Sequence, residues 1–261
     1  NTYIFADVHY DRSAEDLTTV PMVDSTMYQR PLTGAKDAQL ILTIAGLNDT
    51  TLISVADFVI SGEVILGTSG ADSKTGTTGD DGLHGGAGAD TLSGGEGNDY
   101  LTGDASTGGS FADWFLITSG NDTILDLAAG NVADVVQVSA GATVAATVYG
   151  NWTATADTSN AGTATIDARG KTLVLTDAVG PNGWYLKDTS TVATAFTGSA
   201  FADTIQGGEG ADTITGGAGV DRFVVDSGTD TVTDLGGTVA GSSQTDILVV
   251  SAGATANVTV T

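Results

Sequence analysis

The chain has 261 residues and no cysteine, and its 32 acidic residues outweigh 8 basic ones to leave a net charge of −24. That length is one or two domains, the missing cysteine excludes disulfides, thiolate metal sites and cysteine nucleophiles, and the charge disfavours nucleic acid, whose phosphates it repels. Only Glu15, Glu63, Glu96 and Glu209 are glutamate, so the acid is almost all aspartate on a chain that is 41% hydrophobic. Such an oxygen-rich composition suits a hard cation, Ca²⁺ above all.

Residues 1–60 hold two of the three prolines and both methionines. LILTIAGL from Leu40 and TLISVADFVI from Thr51 read as strands, SAEDL from Ser13 as a short helix, and His9 as part of a surface loop. This segment is expected to cap the rest or to serve assembly. No run of eighteen apolar residues follows anywhere, so no transmembrane segment is expected, and no basic-plus-apolar signal-peptide pattern is visible in the opening residues.

From residue 61 to 127 the chain repeats every nine residues. Framed at Gly67, the blocks are GTSGADSKT, GTTGDDGLH, GGAGADTLS and GGEGNDYLT. Gly103 to Thr107 breaks the frame, which resumes at Gly108 with GGSFADWFL and ITSGNDTIL. Position 6 is always aspartate: Asp72, Asp81, Asp90, Asp99, Asp113 and Asp122. Residues 128–197 are a Val, Thr and Ala-rich spacer that reads as short strands and polar turns. A second array over 198–235 has Asp203, Asp212, Asp221 and Asp230 at position 6. Residues 236–261 begin a second spacer that looks cut short, because DWFLITSGNDTILDL from Asp113 recurs, in altered form, 108 residues later from Asp221.

The physical reading is a β-solenoid. Glycines at positions 1, 2 and 4 open backbone angles closed to other residues, and positions 7–9 form a short strand with position 8 facing inward. Two nonapeptides make a coil of eighteen residues. Asp72 and Asp90, Asp81 and Asp99, Asp203 and Asp221, and Asp212 and Asp230 then stack. Bare carboxylates at that spacing repel, and a calcium between coils turns the repulsion into coordination. The candidate ligands are therefore the position-6 aspartates, together with the turn carbonyls near Gly85, Gly86, Gly88, Gly94, Gly95 and Gly97. In the second array the turn glycines are Gly207, Gly208, Gly210, Gly216, Gly217 and Gly219.

GGAGADTLS, GGEGNDYLT, GGEGADTIT and GGAGVDRFV resemble the nonapeptide of the repeats-in-toxin (RTX), or haemolysin-type, calcium-binding repeats. The resemblance covers about a third of the chain. It implies an all-β, right-handed parallel β-roll with several Ca²⁺ in its turns, and secretion by a type I route. The VSAGAT and GSAFADTI stretches resemble spacers of large bacterial surface and S-layer-like RTX proteins. The expected role is an extracellular structural one at the bacterial cell surface, in a layer, fibril or adhesin, with self-association into a lattice or filament and a cell-surface polysaccharide as further partners. Alternatives are the folding module of an exported enzyme and a carbohydrate-binding adhesin module.

No HExxH or GxSxG occurs and there are only two histidines, so no enzyme is expected in this chain. Lys74 at an inward position marks the first coil as a cap or a distorted coil. Thr68, Thr77, Thr118, Ser199 and Asp226 replace the second glycine, and Phe111 and Phe201 the fourth, so sites using those turns are expected to be altered. Asp104, Asp126, Asp134 and Asp234 lie outside the frame and read as solvated turn residues, although Asp104 and Asp122 are also eighteen apart. His84 reads as an exposed strand end. Trp114, Trp152 and Trp184 read as packing residues, with sugar stacking at Trp184 the lesser alternative.

Overall fold

A computed structural model describes residues 7–9, 41–43, 62–104, 111–236 and 245–260. The chain divides into two units, Asn1–Val59 and Ile60–Thr261. In the first, the strand Asp7–His9 pairs antiparallel with Ile41–Thr43. The strand expected from Leu40 is present there, whereas His9 sits in a strand rather than a loop. The strand from Thr51 and the helix from Ser13 fall outside the described residues.

The second unit is a parallel β-solenoid. One face is a ten-stranded parallel sheet running from Val64–Leu66 to Ile247–Val250. The return strands form two sheets, a five-stranded one from Ser73–Thr75 to Ser159–Asn160 and a six-stranded one from Trp152–Thr153 to Thr255–Val260. Strand pairing superposes position 8 of each repeat on position 8 of the next coil: Leu83 on Leu101, Leu101 on Ile124, Ile205 on Phe223 and Ile214 on Val232. All of these side chains are buried. A three-residue strand is too short to be stable alone; here each gains its stability from the column of apolar side chains it extends.

Lys74 cannot join that column as a cation. It sits over Leu92 in the register, half-buried, and pairs with Asp72 at 3.1 Å.

The spacer does not interrupt the solenoid. Thr143–Val148, Thr163–Asp167 and Tyr185–Lys187 carry the ten-stranded sheet from the first array to the second as parallel pairs, with one register shift between Ala146 and Val148. Val144, Ala146, Ile166 and Leu186 continue the inward column. Where the two return sheets meet, Trp152 and Trp184 fill the interior edge to face, ring centroids 6.2 Å apart at 70°. The Trp152 indole N–H donates to the Asp134 carbonyl at 2.9 Å. Trp184 is only 2% exposed, so it packs the core and offers no platform for a sugar.

Candidate metal-binding turns

Six of the ten position-6 carboxylates in the arrays are held in the same way. One oxygen accepts the backbone N–H of the aspartate one coil earlier. Asp90 takes it from Asp72 at 2.7 Å, Asp99 from Asp81 at 2.8 Å, Asp221 from Asp203 at 2.8 Å and Asp230 from Asp212 at 3.0 Å, each across eighteen residues. The aspartates therefore form ladders along the edges of the solenoid, and these carboxylates are buried. The ladder continues where the spacing between aspartates is longer than eighteen. Asp113 accepts from Asp90 and Asp122 from Asp99, both across 23 residues. Asp122 thus takes its amide from Asp99 and not from a residue eighteen earlier, because the strand register follows the apolar column rather than a fixed count.

Two ladder members escaped the sequence reading. Asp134 accepts the N–H of Asp113 at 2.9 Å and that of Ala128 at 2.6 Å, and is 2% exposed. Asp246 accepts from Asp221 at 2.9 Å. Neither lies in a glycine-rich block. Each does stand two residues before an inward apolar side chain, Val136 and Leu248, as position 6 stands before position 8. Asp126 and Asp234 are likewise not solvated turn residues. Asp126 receives the N–H of Gly103 at 3.0 Å, and Asp234 those of Gly216 and Gly217 at 2.9 and 2.8 Å. The Asp104 side chain lies outside the described residues. His84 is half-buried within the strand Gly82–Gly86 rather than at an exposed end.

The second carboxylate oxygen points at the glycines. A Cβ built on Gly85 would lie 2.3 Å from Asp90 Oδ2, one on Gly94 1.9 Å from Asp99 Oδ2, and one on Gly216 2.3 Å from Asp221 Oδ2. Carbonyl oxygens converge on the same space: a Cβ on Gly76 would meet the Gly94 carbonyl at 2.0 Å, and one on Gly198 the Gly216 carbonyl at 2.1 Å. Position 2 is different. Gly86, Gly95, Gly208 and Gly217 take φ between 82° and 109°, the left-handed region where a side chain is strained. The fourth position behaves alike at Gly88, Gly97, Gly210 and Gly219, while Phe201 in that position stays out of positive φ.

Six of these buried oxygens have no hydrogen-bond donor: Oδ2 of Asp90, Asp99, Asp122, Asp212, Asp221 and Asp230. A buried acceptor left unanswered costs roughly 1–3 kcal/mol, more if charged. Six such terms rival the roughly 5–15 kcal/mol that holds a domain together. Neighbouring ladder carboxylates about 5 Å apart add repulsion of roughly 3 kcal/mol per pair at an effective dielectric of about 20. Among the described residues no three His, Asp or Glu side chains converge, so a bound cation must draw most of its ligands from backbone carbonyls. Carboxylate and carbonyl oxygens together are the donor set of calcium, which takes 6–8 of them, and the residues present fit it.

Burial shifts the same groups. Burial pushes the Asp122 and Asp221 carboxyls up to about 7, against the pull of the Asp99 and Asp203 amides. Asp212 rises to about 6, again chiefly from burial, with the charge of Asp230 adding to it. Asp90, Asp99 and Asp230 rise for the same first reason. A carboxyl whose folded value is raised binds protons more tightly folded than unfolded, so the metal-free fold loses stability as pH climbs from about 4 to about 7. Calcium competes with those protons. Calcium affinity is therefore expected to rise severalfold between pH 5.5 and pH 7.5, read by isothermal titration at fixed ionic strength; a flat profile would mean that these carboxylates are not ligands.

A parallel solenoid with buried aspartate ladders and carbonyl-lined glycine turns defines a calcium-type β-roll. Four copies of the RTX calcium-binding nonapeptide repeat are found in the chain, matched over residues 75–106 and 197–232. RTX nonapeptides bind calcium, and several repeats imply several ions. No curated protein and no solved structure matches the chain. Among the described residues no helix is long and apolar enough to cross a membrane.

Proposed function

We propose that this protein is a non-enzymatic structural component of an extracellular surface, a layer, fibril or adhesin, that folds when it meets calcium outside the cell. The observation that carries this reading is the set of six buried carboxylate oxygens without donors, spread over both arrays. In a low-calcium cytosol those charges and the entropy of the glycines oppose folding, which leaves the chain fit for export by a type I route. At millimolar calcium, binding free energy becomes folding free energy. Extracellular calcium modules typically bind at about 10⁻⁴–10⁻³ M, which suits such a switch.

Self-association is part of the reading. Among the described residues, Val64 and Leu66 on the first strand of the solenoid are exposed, as are Val258 and Val260 on the last. Open strand edges that also carry apolar side chains favour pairing with another chain. In millimolar calcium the full chain is expected to sediment as species larger than a monomer, and to lose them when residues 1–60 are deleted while calcium binding persists. A chain that stays monomeric in calcium at every protein concentration removes the assembly role.

A further inference from the structure

Three position-6 carboxylates differ from the six with unanswered oxygens. Asp72 Oδ2 accepts both the backbone N–H and the hydroxyl of Thr68, at 2.6 and 2.7 Å, while its Oδ1 meets the Lys74 ammonium. Asp81 Oδ2 accepts the N–H of Thr77, and the Thr77 hydroxyl lies 3.0 Å away; its Oδ1 accepts the N–H of Glu63. Asp203 Oδ2 accepts the N–H of Ser199 at 2.6 Å and its hydroxyl at 3.0 Å, and Oδ1 accepts the N–H of Trp184 at 2.6 Å. Thr68, Thr77 and Ser199 all stand at position 2, where the close repeats have glycine. A side chain there excludes the positive φ of Gly86, Gly95, Gly208 and Gly217, and in these three turns the amide and hydroxyl hydrogens close on the carboxylate. Donor hydrogens on Oδ2 occupy its lone pairs and put positive charge where a cation would sit.

We propose that a Ser or Thr at position 2, when it closes on its own position-6 aspartate, takes that turn out of calcium binding. The inference rests on the calcium reading above. The hydrogen bond decides, not residue type alone: Thr118 also stands at position 2, yet its hydroxyl reaches the Gly95 carbonyl at 3.3 Å and Asp122 Oδ2 keeps no donor. The self-held turns are not scattered. Asp72 and Asp81 precede the open turns of the first array, and Asp203 precedes those of the second. The spacer coil just before the second array is satisfied in the same manner, with Asp188 accepting the Ser190 amide at 2.7 Å and the hydroxyls of Ser190 and Thr194. Each array thus begins on a coil whose polar groups need no metal, which serves as the template on which the calcium-dependent coils stack.

The test is calcium uptake by the full chain, measured by equilibrium dialysis with ⁴⁵Ca at saturation, with circular dichroism confirming folding in calcium. Ser199→Gly and Thr77→Gly are expected to take up more calcium per chain than the wild type, because each frees an Oδ2. Asp212→Asn is expected to take up less. Equal uptake by wild type, Ser199→Gly and Thr77→Gly overturns the inference while leaving the calcium reading intact. So does a loss in Asp203→Asn as large as that in Asp212→Asn. Should one glycine variant fail to fold, the other decides. A wild-type chain that takes up no calcium overturns the calcium reading itself and the inference with it.

Discussion

Gly94→Ala should lower the stability of the solenoid by about 3 kcal/mol even in saturating calcium, the upper part of the usual cost of overpacking. The added Cβ would lie 1.9 Å from Asp99 Oδ2 and 2.5 Å from its Cγ. Neither neighbour can move away, because the carboxylate is buried and its other oxygen is tied to the Asp81 amide. In a unit of this size the loss corresponds to a fall in Tm of roughly 6–12 °C. Gly82→Ala is the control. A Cβ there meets nothing within 4 Å and the residue has no positive φ, so the change should be neutral or stabilise by up to about 1 kcal/mol through the unfolded chain. Equal losses at the two positions would mean that glycine matters here for flexibility alone. Calcium uptake should fall in Gly94→Ala and not in Gly82→Ala.

The contrast shows what glycine does in this fold. At position 1 it makes room for oxygen; at position 2 it supplies a backbone angle. Both roles belong to the turn, and the strands depend on neither. That separation explains why the spacer can keep the solenoid without glycine-rich blocks. It needs the apolar column, which Val144, Ile166 and Leu186 provide, and left-handed turn residues, of which Ala128 at φ 59° and Arg169 at φ 47° are two.

The parts of the structure legible in the sequence were those with a fixed period. Position 8 is apolar in every block but the first, where it is Lys74, so the inward residues of both arrays, Leu83 to Ile124 and Ile205 to Val232, could be read directly, and the eighteen-residue stacking of Asp81 on Asp99 followed from it. Where Gly103 to Thr107 breaks the frame, counting by eighteen no longer gives the partner, because it assumes coils of equal length. Strand register is set by burial of Leu101 against Ile124, whatever the number of residues between them. Asp134 and Asp246 were missed since they keep the carboxylate and the inward residue but lose the glycines, and the glycines had defined the frame. The difference between Thr77 and Thr118 could not be read at all. It depends on which acceptor a hydroxyl reaches after the coils have stacked.

Withdrawal of calcium tests the central claim most directly. Each site loaded to between ten and a hundred times its Kd contributes about 1.4–2.7 kcal/mol, so several sites together equal the whole stability of a typical domain. The measurement is far-ultraviolet circular dichroism of the full chain at pH 7.5, in about 10 mM calcium, after excess EDTA, and after calcium is restored. The expected result is a β spectrum with a cooperative thermal transition in calcium, loss of both in EDTA, and recovery on adding calcium back. Magnesium should not substitute at the same concentration, because it holds its water and demands a tight octahedron that carbonyl-rich turns do not offer. An identical spectrum and an identical Tm with and without EDTA would contradict calcium-coupled folding.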